Sequence, residues 1–405
     1  MSATITDRLK AWAYLSRVVE GPSAHLHYLL TQGRDPEAIA HGVRHREPWI
    51  GDLLKETASR HDWDTAQQDL EKLLAMDGRL ITPEDREWPT AEFDHAFGFA
   101  ASGMSEHVRT YQEDAVPPHA LWVRGRDLQS LTSQAVAIVG TRAVSHYGRD
   151  VTRMMVDTLV PHQWTIISGG ALGVDTVAHT SAVHAGGSTV MVAACGLDRS
   201  YPARNQALFN EIVQKKAGAI ISEYPPGTPP QRHRFLTRNR LVAALSQGTV
   251  VTEAAWRSGA LNTLSWASGL GRVAMAVPGP VTTAGSLGCH ERIRTGQAEM
   301  VCSGDEVRSL LGAIGGLDPH EQYELNFAAN PIQGLSRNEL RVFDSLGSLP
   351  REVSDIASDT GLSLALVVHL LVELDKRGVI TREGTRWGRV VPSGGEAPGD
   401  RAIGD

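Results

Sequence analysis

The central part of the chain alternates short β-branched segments with stretches of helical periodicity, and this alternation constrains the fold most. Near-continuous apolar strands separated by helices are typical of a parallel sheet covered on both faces. The sequence therefore predicts an α/β fold whose core is a doubly wound, mostly parallel sheet. The predicted strands are Ala135–Val139, Thr165–Ile167, Thr189–Ala193, Ala219–Ser222, Gly248–Thr252 and Val273–Val277.

The regions on either side differ from this core in composition and predict further domains. Apolar residues at helical spacing precede it, a stretch with four prolines joins the two, and three helical segments with a hairpin follow it. Three helices followed by a hairpin are typical of a winged helix. The third helix is mostly apolar, which favours packing or partner contact over base recognition. We therefore predict a small helical domain resembling a degenerate SAM or helix-hairpin-helix domain (1–78), a connector (79–118), a Rossmann-like core (119–312), a linker (313–334), a winged-helix domain (335–392) and a disordered tail (393–405).

Charge and cysteine content narrow the kinds of site that the chain can carry. The formal net charge of −7 over 405 residues means that a nucleic-acid site must be a local basic patch. The three cysteines are far apart and outside any C-x-x-C pair, so we expect a reducing compartment and no zinc site. Without a signal peptide or a membrane-length apolar stretch, the chain is predicted to be cytoplasmic, with no membrane, metal or cofactor partner.

The strongest indication of a binding site is the segment Gln231–Arg240. It holds four arginines and one aromatic residue, Phe235, without any acidic residue. Arginine neutralises phosphates and an aromatic ring gives a base a surface to stack on. A solvated helix face with Phe235 in the core would leave the same pattern. In an acidic chain the cluster favours an arginine-rich loop that binds a single strand.

Two predicted strand ends supply glycine turns beside this segment. One is Gly140-Thr141-Arg142 and the other is Ser168–Gly173. Ligands of open parallel sheets bind outside the carboxyl ends of strands, where glycine admits a ligand and an arginine offers a forked donor. A tight turn with a solvated arginine is the alternative. Asp175 and His179, four residues apart, are more typical of a helix cap and a packed histidine than of metal ligands.

Taken together, the motifs resemble the bacterial DNA-processing protein A family, also called DprA or Smf. Each motif alone is weak, but their shared order and spacing are highly specific. The resemblance is close from about Leu121 to Leu311. The matching stretches are Leu121–Gly125, Val136–Arg142, Ser168–His179, Cys195–Pro202, Ser222–Pro230, Phe235–Ala243, Glu253–Thr263 and Ala276–Gly279.

The resemblance implies a protein that binds single-stranded DNA, protects incoming strands during natural transformation, loads the recombinase RecA and forms a homodimer. Within the segment Arg238–Arg240, Asn239 and one arginine can instead organise the loop. Leu172 departs from the family, which usually has arginine there. The arginine segment and the resemblance together predict the DNA-binding residues Arg142, Gly169, Gly170, Arg232, Arg234, Phe235, Arg238, Asn239 and Arg240.

Two other functions stay open at this point. The chain shares its fold class with nucleoside-monophosphate phosphoribohydrolases, but around Glu253 it lacks their P-G-G and has the glutamate one position late. A winged-helix regulator that senses a nucleotide is the other alternative, against which the apolar third helix argues. We predict no catalytic residues and expect that the chain is not an enzyme.

Overall fold

The computed structural model describes residues 5–104, 112–312, 332, 335–347 and 349–390. The chain divides into two compact units, Met1–Glu321 and Gln322–Asp405. The linker predicted at 313–334 lies outside the described residues except for Ile332, and the tail predicted at 393–405 lies wholly outside them.

Among the described residues, five α-helices open the first unit, as the apolar periodicity predicted. Side-chain oxygens of Thr6, Ser23 and Asp35 cap the first three, which satisfies backbone N–H groups that have no partner within the helix. The helices share an apolar core with one face of the sheet, where Trp122 is fully buried. They are α1 (Asp7–Val18), α2 (Ala24–Thr31), α3 (Pro36–Arg44), α4 (Leu53–Glu56) and α5 (Ala66–Leu74).

A nine-stranded sheet forms the centre of the first unit and confirms the predicted α/β class. Its order is β1-β2-β6-β5-β4-β3-β7-β8-β9, antiparallel at the β1–β2 and β2–β6 pairs and parallel elsewhere. The strands are β1 (Gly78–Ile81), β2 (Leu121–Gly125), β3 (Ala135–Val139), β4 (Thr165–Ser168), β5 (Thr189–Ala193), β6 (Gly218–Ser222), β7 (Gly248–Val251), β8 (Val273–Ala276) and β9 (Glu299–Met300).

Helices cover both faces of this sheet. Ala135, Ala137 and Val139 of β3 enter one apolar core, whereas Val136 and Ile138 enter the opposite one. This alternation is the period of two that a strand imposes. The helices are α6 (Thr90–Ala101), α7 (Leu128–Thr132), α8 (His146–Leu159), α9 (Val174–His184), α10 (Gln206–Gln214), α11 (Arg232–Ala244), α12 (Ala260–Gly269), α13 (Leu287–Arg294) and α14 (Gly304–Leu311).

The stretch 79–118, predicted as a connector, is more ordered than that prediction. It contains most of β1, which pairs antiparallel with β2 so that Ile81 lies opposite Leu121. It also contains α6. Phe93 and Phe97 of α6 are buried in the core on one face of the sheet. A four-residue strand between turn residues carries too short a pattern to be recognised, because only its pairing with β2 stabilises it.

The second unit has the predicted order of three helices and a hairpin. Its three-stranded sheet has the order β10-β12-β11, and Trp387 of the hairpin is buried against Val342 and Leu371 in the core of this unit. The elements are α15 (Arg337–Ser345), β10 (Arg351–Glu352), α16 (Val353–Thr360), α17 (Leu364–Lys376), β11 (Ile380–Glu383) and β12 (Arg386–Arg389).

Among the described ranges, no single helix is both long and apolar enough to cross a membrane. The consecutive helices α16 and α17 meet the length and composition criterion only as a pair bent by 109°.

Candidate nucleic-acid interface

A cleft of about 600 Å³ opens at the carboxyl ends of β3, β4 and β7. Strand β3 lies between β4 and β7, so the chain leaves β3 on one side and later returns on the other. Open parallel sheets bind their ligands at such a reversal of strand order. The cleft is lined by the turn after β3, the turn after β4, one face of α11 and the loop between β7 and α12.

The turn after β3 presents Arg142 at the rim of the cleft. Thr141 donates its N–H to the carbonyl of Glu253 at 2.7 Å, and its own carbonyl accepts from the N–H of Val174 at 3.1 Å. Gly173 has a φ of +87°, and a Cβ there would lie 2.2 Å from the Thr141 oxygen. Only glycine fits this approach without displacing the backbone. The two turns are thereby locked together, and the Arg142 side chain is left exposed.

Phe235 lies beside Arg142 and is half-buried. The guanidinium carbon of Arg142 is 5.7 Å from the centroid of the Phe235 ring, a cation–π distance. On another side, Tyr201 packs at a centroid distance of 5.4 Å with the rings inclined by 48°. Tyr201 is itself 42% exposed. The cleft therefore carries an accessible aromatic surface with an adjacent positive charge.

The arginine-rich segment Gln231–Arg240 is a helix and not the predicted loop. Helix α11 begins at Arg232, so its arginines are distributed around a helical turn instead of facing one ligand. Arg232 is exposed, whereas Arg234, Arg238 and Arg240 are buried. The prediction of a loop was wrong, because the density of arginines does not reveal that a helix periodically turns some of them inward.

The buried arginines meet partners from distant parts of the chain. Arg240 is fully buried, pairs with Glu223 at 2.6 Å and donates to the carbonyl of Asp114 at 3.0 Å. Arg234 donates through Nε to Glu20 at 2.7 Å and also to the carbonyl of Pro229. These contacts anchor α11 to the N-terminal helices and to the turn after β6.

Arg238 lies beneath the glycine turn after β4. It donates to the carbonyl of Gly169 at 2.6 Å and to that of Val192. Burial lowers the pKa of Arg238, and the nearby Asp175 opposes that shift. A Cβ at Gly169 would lie 2.3 Å from the guanidinium, so glycine makes room for it. At Gly170, φ is +72° and a Cβ would lie 2.6 Å from Met191.

Asn239 and Asp175 also line the cleft, whereas His179 does not. Asn239 donates to Asn262 of α12 at 3.1 Å, which ties two helices together at the cleft. His179 is buried, shares a hydrogen bond with the Thr189 hydroxyl at 2.7 Å and has its pKa lowered by burial to about 3. Its burial agrees with the packed histidine that the sequence favoured. No group of three or more metal-ligating side chains occurs in the part of the chain that the structure describes.

The loop after β7 carries a family motif, but the sequence patterns gave its residues no role. Arg257 is exposed and lines the cleft, and Asn262 lies on the same wall. The motif Glu253–Thr263 was the available signal in the sequence. Leu172 is 38% exposed but lies outside the lining of the cleft. Glu253 is buried and accepts from the N–H of Ser145 at 2.9 Å, so it holds the start of α8.

Comparison with known proteins identifies the family. A model described as DNA recombination-mediator protein A matches residues 79–312. The chain belongs to this family. It is 40% identical over 393 residues to the putative DNA processing protein DprA of Mycobacterium tuberculosis, covering 96% of each protein. It is 34% identical over 278 residues to Protein Smf of Escherichia coli, covering 68% of this chain and 71% of that protein.

A solved structure from the same family has the same fold. DprA from Streptococcus pneumoniae superposes with a TM-score of 0.57 at 27% identity, covering 76% of this chain and 99% of that one. The resemblance stated from motifs alone is thus confirmed. The match of the DNA recombination-mediator protein A model begins one residue into β1, which agrees with the strand observed there.

Proposed function

We propose that the chain binds single-stranded DNA in the cleft at the ends of β3, β4 and β7. One observation carries the proposal: three exposed arginines line the same cleft as the accessible ring of Phe235. Arg142, Arg232 and Arg257 line the cleft and have no ion-pair partner among the described residues. Proteins that bind single strands combine unpaired positive charges, which contact the phosphate backbone, with an aromatic ring, on which a base stacks.

In this proposal the predicted site residues have two kinds of role. The exposed arginines neutralise phosphates, and Phe235 stacks on a base. Arg234, Arg238, Asn239 and Arg240 hold α11 in place and do not contact DNA, because they are buried and each already donates a hydrogen bond to a partner within the protein. Gly169 and Gly170 allow the turn to pack closely over Arg238 and Met191. Such binding tolerates many sequences, since every base has a face to stack.

The direct test is titration of labelled oligo-dT at several salt concentrations. Arg142→Ala should weaken binding severely, because Arg142 contributes both a phosphate contact and the charge beside Phe235. The matched control is Arg153→Ala, which removes an exposed arginine of α8 outside the cleft. Equal affinity of the two variants would contradict the assignment of the cleft.

We further propose that the bound strand is protected and passed to the recombinase RecA by a cytoplasmic homodimer, without being cut. Membership in the DNA recombination-mediator protein A family supports this. The protein should speed RecA filament formation on strands coated with single-strand binding protein, and Arg142→Ala should not. Strands recovered after incubation should keep their length. Shortened strands or unchanged filament formation would argue against this role.

A further inference from the structure

A second, smaller pocket lies on the far side of the loop between β7 and α12. Its volume is about 240 Å³, and α13 forms its opposite wall. Trp256, Gly288, Arg292 and Thr295 are among the residues that line it. None of the predictions from sequence assigned a role to this pocket.

The loop after β7 divides this pocket from the cleft. Arg257 lines the cleft, while the preceding residue, Trp256, lines the pocket. The same division continues into α12, where Asn262 faces the cleft and Leu261 faces the pocket. The cleft and the pocket therefore share one rim. A DNA strand that leaves the cleft past Arg257 reaches Trp256 next.

The chemistry of the pocket repeats that of the cleft. Trp256 is 58% exposed, which is unusual for so large an apolar ring and leaves its surface open to a ligand. Arg292 donates to the side chain of Gln297 and has no acidic partner among the described residues. Glu291 also lines the pocket, but its carboxylate is paired with Arg294. An open aromatic ring beside an unneutralised guanidinium suits one more nucleotide.

We propose that Trp256 and Arg292 form a second nucleotide subsite that extends the strand-binding track beyond the cleft. The base stacks on Trp256 and the adjoining phosphate is neutralised by Arg292. This inference rests on the proposed single-strand binding. It adds that the footprint of the protein is longer than the cleft, so affinity rises when a strand becomes long enough to reach Trp256.

The test measures binding of an oligo-dT series with lengths from about 4 to about 16 nucleotides. Trp256→Ala should match the unaltered protein on the shortest strands that bind and lose about tenfold on long ones, equivalent to about 1.4 kcal/mol. Trp256→Phe keeps a stacking ring and should retain most of the affinity. Arg292→Ala should lower the salt dependence by about 0.7 on long strands alone.

The matched control is Trp63→Ala, which removes another exposed tryptophan, in the N-terminal helical region. Thermal unfolding of each variant separates a folding defect from a binding defect. If Trp256→Ala binds every length like the unaltered protein while Phe235→Ala does not, the second subsite is overturned and the proposed function stands. If the unaltered protein binds no strand, both fall.

Two further results would also overturn the subsite. A loss that is equal at all lengths would place Trp256 within the cleft. A change in sedimentation of Trp256→Ala, with unchanged DNA affinity, would make this surface a protein contact instead.

Discussion

The outer and inner faces of α11 use the same residue type in opposite surroundings. Arg232 on the outer face is exposed at the cleft and has no acidic partner among the described residues. Arg240 on the inner face is fully buried, with Glu223 and the carbonyl of Asp114 as its partners. A buried charge is tolerated only when it is paired and hydrogen-bonded, whereas an exposed one stays available to a ligand.

This difference shows why a count of arginines overstates the charge that a segment offers to phosphate. Of the four arginines of α11, Arg234 and Arg240 are committed to carboxylates, and Arg238 is committed to backbone carbonyls. The positive surface of the cleft comes instead from three separate elements. Arg142 follows β3, Arg232 begins α11 and Arg257 precedes α12.

Removal of the innermost arginine should have the largest effect. Arg240→Met leaves Glu223 buried without its partner and should lower the free energy of unfolding by about 3–5 kcal/mol. Arg232→Met on the outer face should change it by less than about 0.5 kcal/mol. Urea titration measures both. The double variant Arg240→Met, Glu223→Leu should recover much of the loss, and equal stability of the two single variants would erase the distinction between the faces.

The aromatic residue of the outer face should control binding and not folding. Phe235→Ala should weaken oligo-dT affinity by about 1–3 kcal/mol, because it removes the stacking surface. Phe235→Tyr should bind almost as tightly because the ring is kept. Fluorescence anisotropy measures the affinity, and urea titration provides the check on folding. Tight binding by Phe235→Ala would move the stacking position elsewhere.

Glu20 contacts both the buried Arg234 and the exposed His233 in the first turn of α11, so its removal should have an intermediate effect. It accepts from Arg234, and the first turn of α11 has no side-chain cap of its own. Glu20→Gln should weaken oligo-dT binding by about 1 kcal/mol, the typical contribution of one hydrogen bond. The cause is that the start of α11 then holds Arg232 and Phe235 less firmly in position. Glu84→Gln, which breaks an exposed pair with Arg8, is the control. The salt dependence should not change, because no phosphate contact is removed.

The smallest expected effect is on the salt dependence of binding. A variant that neutralises one phosphate fewer on a single strand should have a slope lower by about 0.7. Arg232→Ala should show this change, and Arg234→Ala should not, although the two residues are neighbours on one helix. The comparison is made by titrating oligo-dT at several salt concentrations. The same change in slope for both would mean that Arg234 leaves Glu20 when DNA binds.

Local patterns predicted much of the fold and part of the site. The six predicted parallel strands are present as β3 to β8, and the turn with Arg142 lies at the reversal of strand order. The strand β1 was missed because a short antiparallel edge strand depends on its neighbour. Arg257 was missed because its relevance comes from the adjacency of β7 to β3, which residue spacing does not report.

The sequence by itself determined the alternation of strands and helices and the family to which the chain belongs. It also supplied Gly173, where the positive φ of the backbone requires glycine. Each of these depends on periodicity or on residues close together in the chain. Only the tertiary structure decided which arginines are exposed in the cleft. The acids that pair with Arg234 and Arg240, Glu20 and Glu223, are 214 and 17 residues from their partners, and folding alone brings them together.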